Sequence, residues 1–209
     1  MAWEPDYITD TELKNYVRIE DTDDDTQVAW AISTASRAVD TACGRQFGKL
    51  DSVAARYYTP YWDAELRRNV VDIDDLYSTT GLLIAVDGSG DETFSSSLTD
   101  YTLRPRNAVQ DGVPWTMLTA NPSSSVGLPT TPDSVRVTGA FGWAAVPVAI
   151  KQATALQASR LLARRNSPFG VAGSPENGSE LRLLAKLDPD VEVSLKKYKR
   201  RKRPRQMFA

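Results

Sequence analysis

The stretch from Ser134 to Arg165, SVRVTGAFGWAAVPVAIKQATALQASRLLARR, joins a strand to a long helix through one Gly-aromatic turn, and the rest of the chain has to fold around both. Val135 and Val137 alternate with Arg136 and Thr138, the period of two of a half-buried strand. Gly139-Ala-Phe141-Gly142-Trp143 turns the chain, and Pro147 sits at a first helical position, where its missing N–H needs no partner. Val148 to Arg165 contains no further Gly or Pro and is dominated by Ala, Leu, Gln, Lys and Arg, which predicts a helix. Its apolar residues, Ile150, Leu156, Leu161 and Leu162 among them, spread around most of the helical wheel. A helix apolar on several sides is buried on several sides. It is either the central core helix of the chain or packed partly against another subunit.

With 209 residues the chain is long enough for one large domain or two small ones. Its longest apolar run, Thr138 to Ile150, is broken by glycines and Pro147 and falls short of the roughly 18 residues of a membrane span, so no membrane partner is expected. The N-terminus, MAWEPDYITD, is acidic and lacks the pattern of a secretory signal. A single cysteine, Cys43, allows no intrachain disulfide and fits a reducing compartment. The chain has no histidine, which removes Ser-His-Asp and Cys-His nucleophiles, a histidine base and nearly all zinc sites. No catalytic, metal-ligating or cofactor-binding residue is nominated, and no cofactor is expected. An enzyme would have to rely on paired carboxylates such as Asp72, Asp74, Asp75 or Asp87, which sequence alone cannot bring into one cleft.

The net charge of −2 hides an asymmetry. Residues 196–205, KKYKRRKRPR, contain eight of the 25 basic residues and no acid, leaving 17 basic against 27 acidic side chains before them. An acidic body with a basic tail points to a polyanionic or acidic partner. The candidate contact residues are Lys196, Lys197, Tyr198, Lys199, Arg200, Arg201, Lys202, Arg203 and Arg205.

Taken in order, Thr9 and Glu12 have capping-box spacing, with Ile8 and Leu13 as a hydrophobic staple. Leu13, Tyr16 and Val17 form the expected buried side of a short helix ending near Ile19. Asp21, Asp23 and Asp25 have the D-x-D-x-D spacing of a calcium loop. Thr26 in place of Gly at the sixth position and Ile32 in place of Glu at the twelfth rule that loop out. The aspartates are better read as N-cap and first-turn residues of a helix over 26–43, whose apolar face includes Val28, Ala31, Ile32, Ala35 and Val39 and whose C′ residue is Gly44. Cys43 at its end is a packing residue. From Ser52 to Val146 short strand-like runs (Tyr57-Tyr58, Asn69 to Ile73, Gly81 to Val86, Tyr101 to Leu103, Trp115 to Leu118) are separated by turns, Asp87-Gly-Ser-Gly90 among them. Residues 166–180 read as a mobile loop, Leu181 to Leu187 as a short helix, and Asp188-Pro189 as the start of a last helix with Val191, Leu195 and Tyr198 on one face. The expected fold is α+β. A helical core of N-terminal helices, long central helix and C-terminal helix (residues 1–51 and 147–209, with the basic tail) carries an inserted small antiparallel β-domain, residues 52–146. Phe141 and Trp143 are expected to anchor the insertion to the long helix, with Ile150, Leu156, Leu161 and Leu162 as core or intersubunit packing residues.

The sequence also resembles a known family. The elements are Cys43-Gly44-Arg45-Gln-Phe47, Tyr101-Thr-Leu103-Arg-Pro105-Arg-Asn107, Val135-Arg-Val137-Thr-Gly139-Ala-Phe141-Gly142-Trp143, and Pro147-Val-Ala-Ile150-Lys151-Gln-Ala153. Arg164-Arg165-Asn-Ser167-Pro168-Phe-Gly170 and the Asp190-Val191…Leu195…Tyr198-Lys-Arg200 ending complete the set. Together they resemble the head-to-tail adaptor (connector) family of long-tailed double-stranded DNA phages. The smallest members of that family are nearly all helical, so the strand-rich middle is a departure. The resemblance implies a non-enzymatic virion protein at the head–tail interface, made in the host cytoplasm. It implies a homo-oligomeric ring of twelve copies docked under the portal protein, with a stopper or tail-completion protein below. Genomic DNA would pass through without sequence-specific binding. The C-terminal segment would reach the portal. A helix with no single buried face suits a ring, and an acidic body suits a channel that lets DNA slide without sticking. The alternative is a nucleic-acid-binding protein acting through residues 196–205, although Tyr198 alone offers no stacking platform.

Overall fold

A computed structural model describes residues 4–165, 171–172, 181–182 and 189–200. The order of elements is α1 (Asp10–Val17), α2 (Asp25–Cys43), β1 (Ala54–Tyr58), β2 (Tyr61–Asp63), β3 (Arg68–Val86), β4 (Ser96–Ser97), β5 (Tyr101–Arg104), α3 (Ala108–Asp111), β6 (Trp115–Ala120), β7 (Val135–Phe141), α4 (Val148–Arg165), β8 (Val171–Ala172), β9 (Leu181–Arg182) and α5 (Pro189–Leu195), followed by a 3-10 turn, Lys196–Tyr198. The chain divides into two compact units: Glu4–Phe47 with the described residues from Val146 onward, and Gly48–Ala145.

The structure overturns the expected helical core with a small inserted β-domain. A seven-stranded antiparallel sheet dominates the fold instead. The reason lies in β3. Asn69 to Ile73 and Gly81 to Val86 look like two short strands because Ser78-Thr-Thr-Gly81 falls between them. They are parts of one 19-residue strand. Three register shifts lie between Asp72 and Leu83, and Gly81 takes φ +69°. Irregularities of this kind bend and twist a strand without ending it. Asn69 and Val86, near opposite ends of β3, both line an open depression of about 460 Å³, where Asn69 Nδ2 donates to the Leu128 carbonyl at 2.6 Å.

β3 organises the sheet by pairing with β2, β4, β6 and β7 along its length, and β1 and β5 lie at the two ends of the order β1-β7-β3-β6-β5. Inward-facing Ile73, Leu76, Ile84, Val86, Val135, Val137 and Phe141 form its core. The turn after β7 depends on close backbone approach. Gly142 has φ +117°, and a Cβ there would lie 2.2 Å from the Gly48 carbonyl oxygen. Trp143 follows, its N–H donating to the same Gly48 carbonyl at 3.0 Å.

The helical unit begins with a capping box. Thr9 Oγ1 accepts from the Glu12 N–H at 3.2 Å, and the Glu12 carboxylate accepts from the Thr9 N–H at 2.8 Å, an arrangement worth about 1 kcal/mol. Leu13 is buried and Val17 half-buried, but Tyr16, expected on the buried side, is 56% exposed. Asp24 occupies the N-cap of α2 without a side-chain capping bond, while Asp25 in the first turn pairs with Lys14. Gly44 closes α2 in the left-handed conformation, its N–H donating to the Asp40 carbonyl. Ile8, Leu13, Val28, Ala31, Ile32, Ala35 and Ala158 form the core, to which α1, α2 and α4 contribute. On α4 the buried residues are Ile150, Ala153, Thr154 and Ala158, one line at spacings of three and four. Leu181 and Arg182 are not helical as expected but pair as a strand with Val171 and Ala172, since the backbone bonds of a short antiparallel pair satisfy them instead. The remainder of 166–187 and Asp188 lie outside the described residues. No helix among the described residues is long and apolar enough to cross a membrane.

Candidate functional site

The basic segment is reached through α5. Val191 and Leu195 are buried, and α5 packs on α4 and α2. The helix tightens at Lys196–Tyr198 because Tyr198 turns in to meet Phe47 edge-on, with ring centroids 5.8 Å apart. Phe47 is fully buried and meets Tyr7 in the same way on another side, also at 5.8 Å. Edge-to-face contacts of this kind add about 0.5–1.5 kcal/mol each beyond the area they bury. The Arg200 N–H then donates to the Cys43 carbonyl at 2.7 Å, so the segment is pinned to the end of α2. Lys199 pairs with Glu192 at 3.3 Å, and Lys196 and Lys197 face solvent. Arg201, Lys202, Arg203 and Arg205 lie outside the described residues.

A polar cluster underlies this anchor. The Tyr7 hydroxyl donates to Asp40 and accepts from the Phe47 N–H at 2.9 Å, and Arg37 Nε lies 3.2 Å from Asp40. Burial raises the Asp40 carboxyl to about 6, against the lowering effects of the Tyr7 hydrogen bond and Arg37. Burial likewise raises the Tyr7 phenol and pushes the Cys43 thiol up to about 11, which leaves Cys43 a packing residue and a poor nucleophile.

The packing candidates are divided between the units. Phe141 is fully buried in the sheet core, with Arg56 stacked 4.9 Å over its ring. Trp143 donates its indole N–H to the buried Asp75 carboxylate at 2.8 Å. Ile150 is fully buried in the helical unit, where Leu156, Leu161 and Leu162 are half-buried. The four carboxylates considered for catalysis are engaged separately. Asp72 accepts from Tyr61, Asp74 from Arg56 and Tyr58, and Asp75 from Trp143. Asp87 accepts from the N–H groups of Ser89, Gly90 and Glu92. Among the described residues no group of three or more carboxylates or thiols is placed to hold a metal.

Two exposed surfaces were missed in the sequence. On α2, Trp30 is 67% exposed beside Ser33 and Thr34. On the outer side of the sheet, Tyr57 is 53% and Leu83 66% exposed, and Phe94 lies 5.4 Å from Tyr57 under the Arg136 guanidinium. The signals were there: Trp30 lies off the apolar stripe of α2, and Leu83 alternates with the buried Ile84.

No family model and no curated protein matches this chain. Among solved structures, its fold is similar to a chain in "Neck of empty GTA particle computed with C6 symmetry", with a TM-score of 0.52 and 16% identity over 97% of this chain and 94% of that one.

Proposed function

We propose that this chain is a virion structural protein, the head-to-tail adaptor of a phage-like particle, and not an enzyme. Copies of it form a ring of twelve beneath the portal protein, extend the DNA channel, and present a platform to a stopper or tail-completion protein. Assembly takes place in the host cytoplasm and the ring ends at the head–tail interface. The observation that carries this reading is the fold likeness to a chain of a particle neck, which spans nearly the whole of both chains. A sixfold-averaged particle accommodates twelve copies. The sequence elements around Gly44-Arg45 and Gly139 to Trp143 support the same reading independently, since they belong to the resemblance and not to the comparison of folds. The acidic balance before residue 196 favours a channel that does not hold phosphates. The basic segment, anchored at Arg200, suits an acidic docking partner.

The test is the mass of the purified protein by light scattering, alone and with the portal ring of the same particle. The expected result is a ring, or a monomer taken up in several copies by the portal. A monomer indifferent to the portal but retained by DNA in a salt-dependent way overturns the proposal in favour of nucleic-acid binding through residues 196–205.

A further inference from the structure

We infer that the Trp30 face of α2 and the outer face of the β1-β7-β3 sheet are the two halves of one contact between neighbouring copies, the first on one copy and the second on the next. This rests on the ring reading above and deepens it by naming the surfaces that close the ring.

An antiparallel sheet with one solvated face carries polar residues on that face. Two rows across β1, β7 and β3 are largely apolar instead. Registers align Tyr57 with Arg136 and Arg136 with Ala85 in one row, and Ala55 with Thr138 and Thr138 with Leu83 in the next. The neighbours Val135, Val137, Ile84 and Val86 point into the core, so these rows form the outer surface, apolar apart from Arg136 and two hydroxyls. Arg136 has its guanidinium 4.9 Å over Phe94, so the only charge in these rows is already seated on a ring. Aromatic and Arg side chains with few other charges are the composition of an interface centre.

The α2 face has the same character. From Thr26 to Ser36 the helix carries no charged residue, in a chain that is 25% charged. Its solvent side is Trp30 with the short side chains of Thr26, Ser33 and Thr34 around it. A large ring standing above small neighbours is a projecting anchor, whereas the sheet rows are broad and flat. Rings of more than two copies close only through heterologous contacts, which use two different patches on each subunit. Either patch meeting its own image would stop at a dimer. This chain has two unlike, charge-poor aromatic patches, one on each compact unit, and a second copy is the partner that uses both.

The test uses the full chain in three forms: wild type, Trp30→Glu and Leu83→Glu, with Thr34→Arg and Tyr57→Glu as second variants of the two faces. All four positions are exposed, so melting temperatures should match wild type, which melting curves verify. Sedimentation velocity over a concentration series is the readout. Wild type is expected to self-associate, and each variant to need about tenfold more protein to do so. An equimolar mixture of Trp30→Glu and Leu83→Glu is expected to form a species of two chains and nothing larger, because one intact pair of faces remains. Variants that associate like wild type overturn the inference, as does a mixture that stays monomeric. Wild type that is monomeric at every concentration also overturns it, while the adaptor reading is judged separately by recruitment to the portal ring.

Discussion

The backbone N–H of Arg200 donates a 2.7 Å hydrogen bond to the carbonyl of Cys43, at the point where α2 has run out of its own donors. The last carbonyls of a helix have no partner within it. Here the start of the basic segment supplies one, while Tyr198 covers the buried Phe47 ring. Lys196 to Arg200 are therefore part of the helical unit.

Tyr198→Ala should destabilise the helical unit by about 1–3 kcal/mol, from the lost ring contact and the loosened bond to Cys43. Urea denaturation followed by far-UV circular dichroism measures it, and Tyr198→Phe should recover most of the loss. A Tyr198→Ala midpoint equal to wild type would mean the segment is not anchored there.

Asp40 should make stability fall as pH rises. Its folded carboxyl titrates near 6, above its unfolded value of 3.8, so the folded state binds more protons in that window. The contribution is fully present below the unfolded value and is lost as pH rises through about 6. Wild type should therefore lose stability relative to Asp40→Asn between about pH 4 and 6, and the difference should level off above. Denaturation series at four pH values measure this, and a carboxyl titration midpoint below 4 in an NMR series would contradict it.

Trp143→Ala should cost about 3–5 kcal/mol, since it removes a buried ring and leaves Asp75 without its indole donor. Trp143→Phe keeps a buried aromatic ring but is smaller and lacks the donor, at a cost of about 1–3 kcal/mol. Equilibrium unfolding followed by circular dichroism separates the two. An unchanged midpoint for Trp143→Ala would remove it from the core.

Gly142 and Gly139 should respond differently to alanine. At Gly142 the new methyl meets a backbone oxygen at 2.2 Å with φ +117°, and neither can yield without moving β7, so Gly142→Ala should lose more than about 3 kcal/mol or fail to fold. At Gly139 the obstacle, 2.8 Å away, is the end of the Leu76 side chain, which can rotate, so Gly139→Ala should cost about 1–2 kcal/mol. Equal melting temperatures for the two would contradict this.

The sequence by itself determined what is local. The Thr9–Glu12 box, the stripe of α2, the Gly44 cap and the Pro189 start each depend on residues within a turn of one another, and local spacing encodes them. The charge division between body and basic segment is likewise written in order along the chain. Tertiary structure decided what joins distant residues. Whether 68–86 is one strand or two depends on β2, β6, β7 and β4 pairing along it from elsewhere in the chain. Trp143 finds Asp75, and Arg200 finds Cys43, only after the intervening segments have folded. Period-two alternation separates the faces of a strand without saying which face meets the core, so Tyr57 and Leu83 could be counted as interior. The candidate surfaces were the least legible part, because an outward apolar side chain and an inward one look the same until the core has formed.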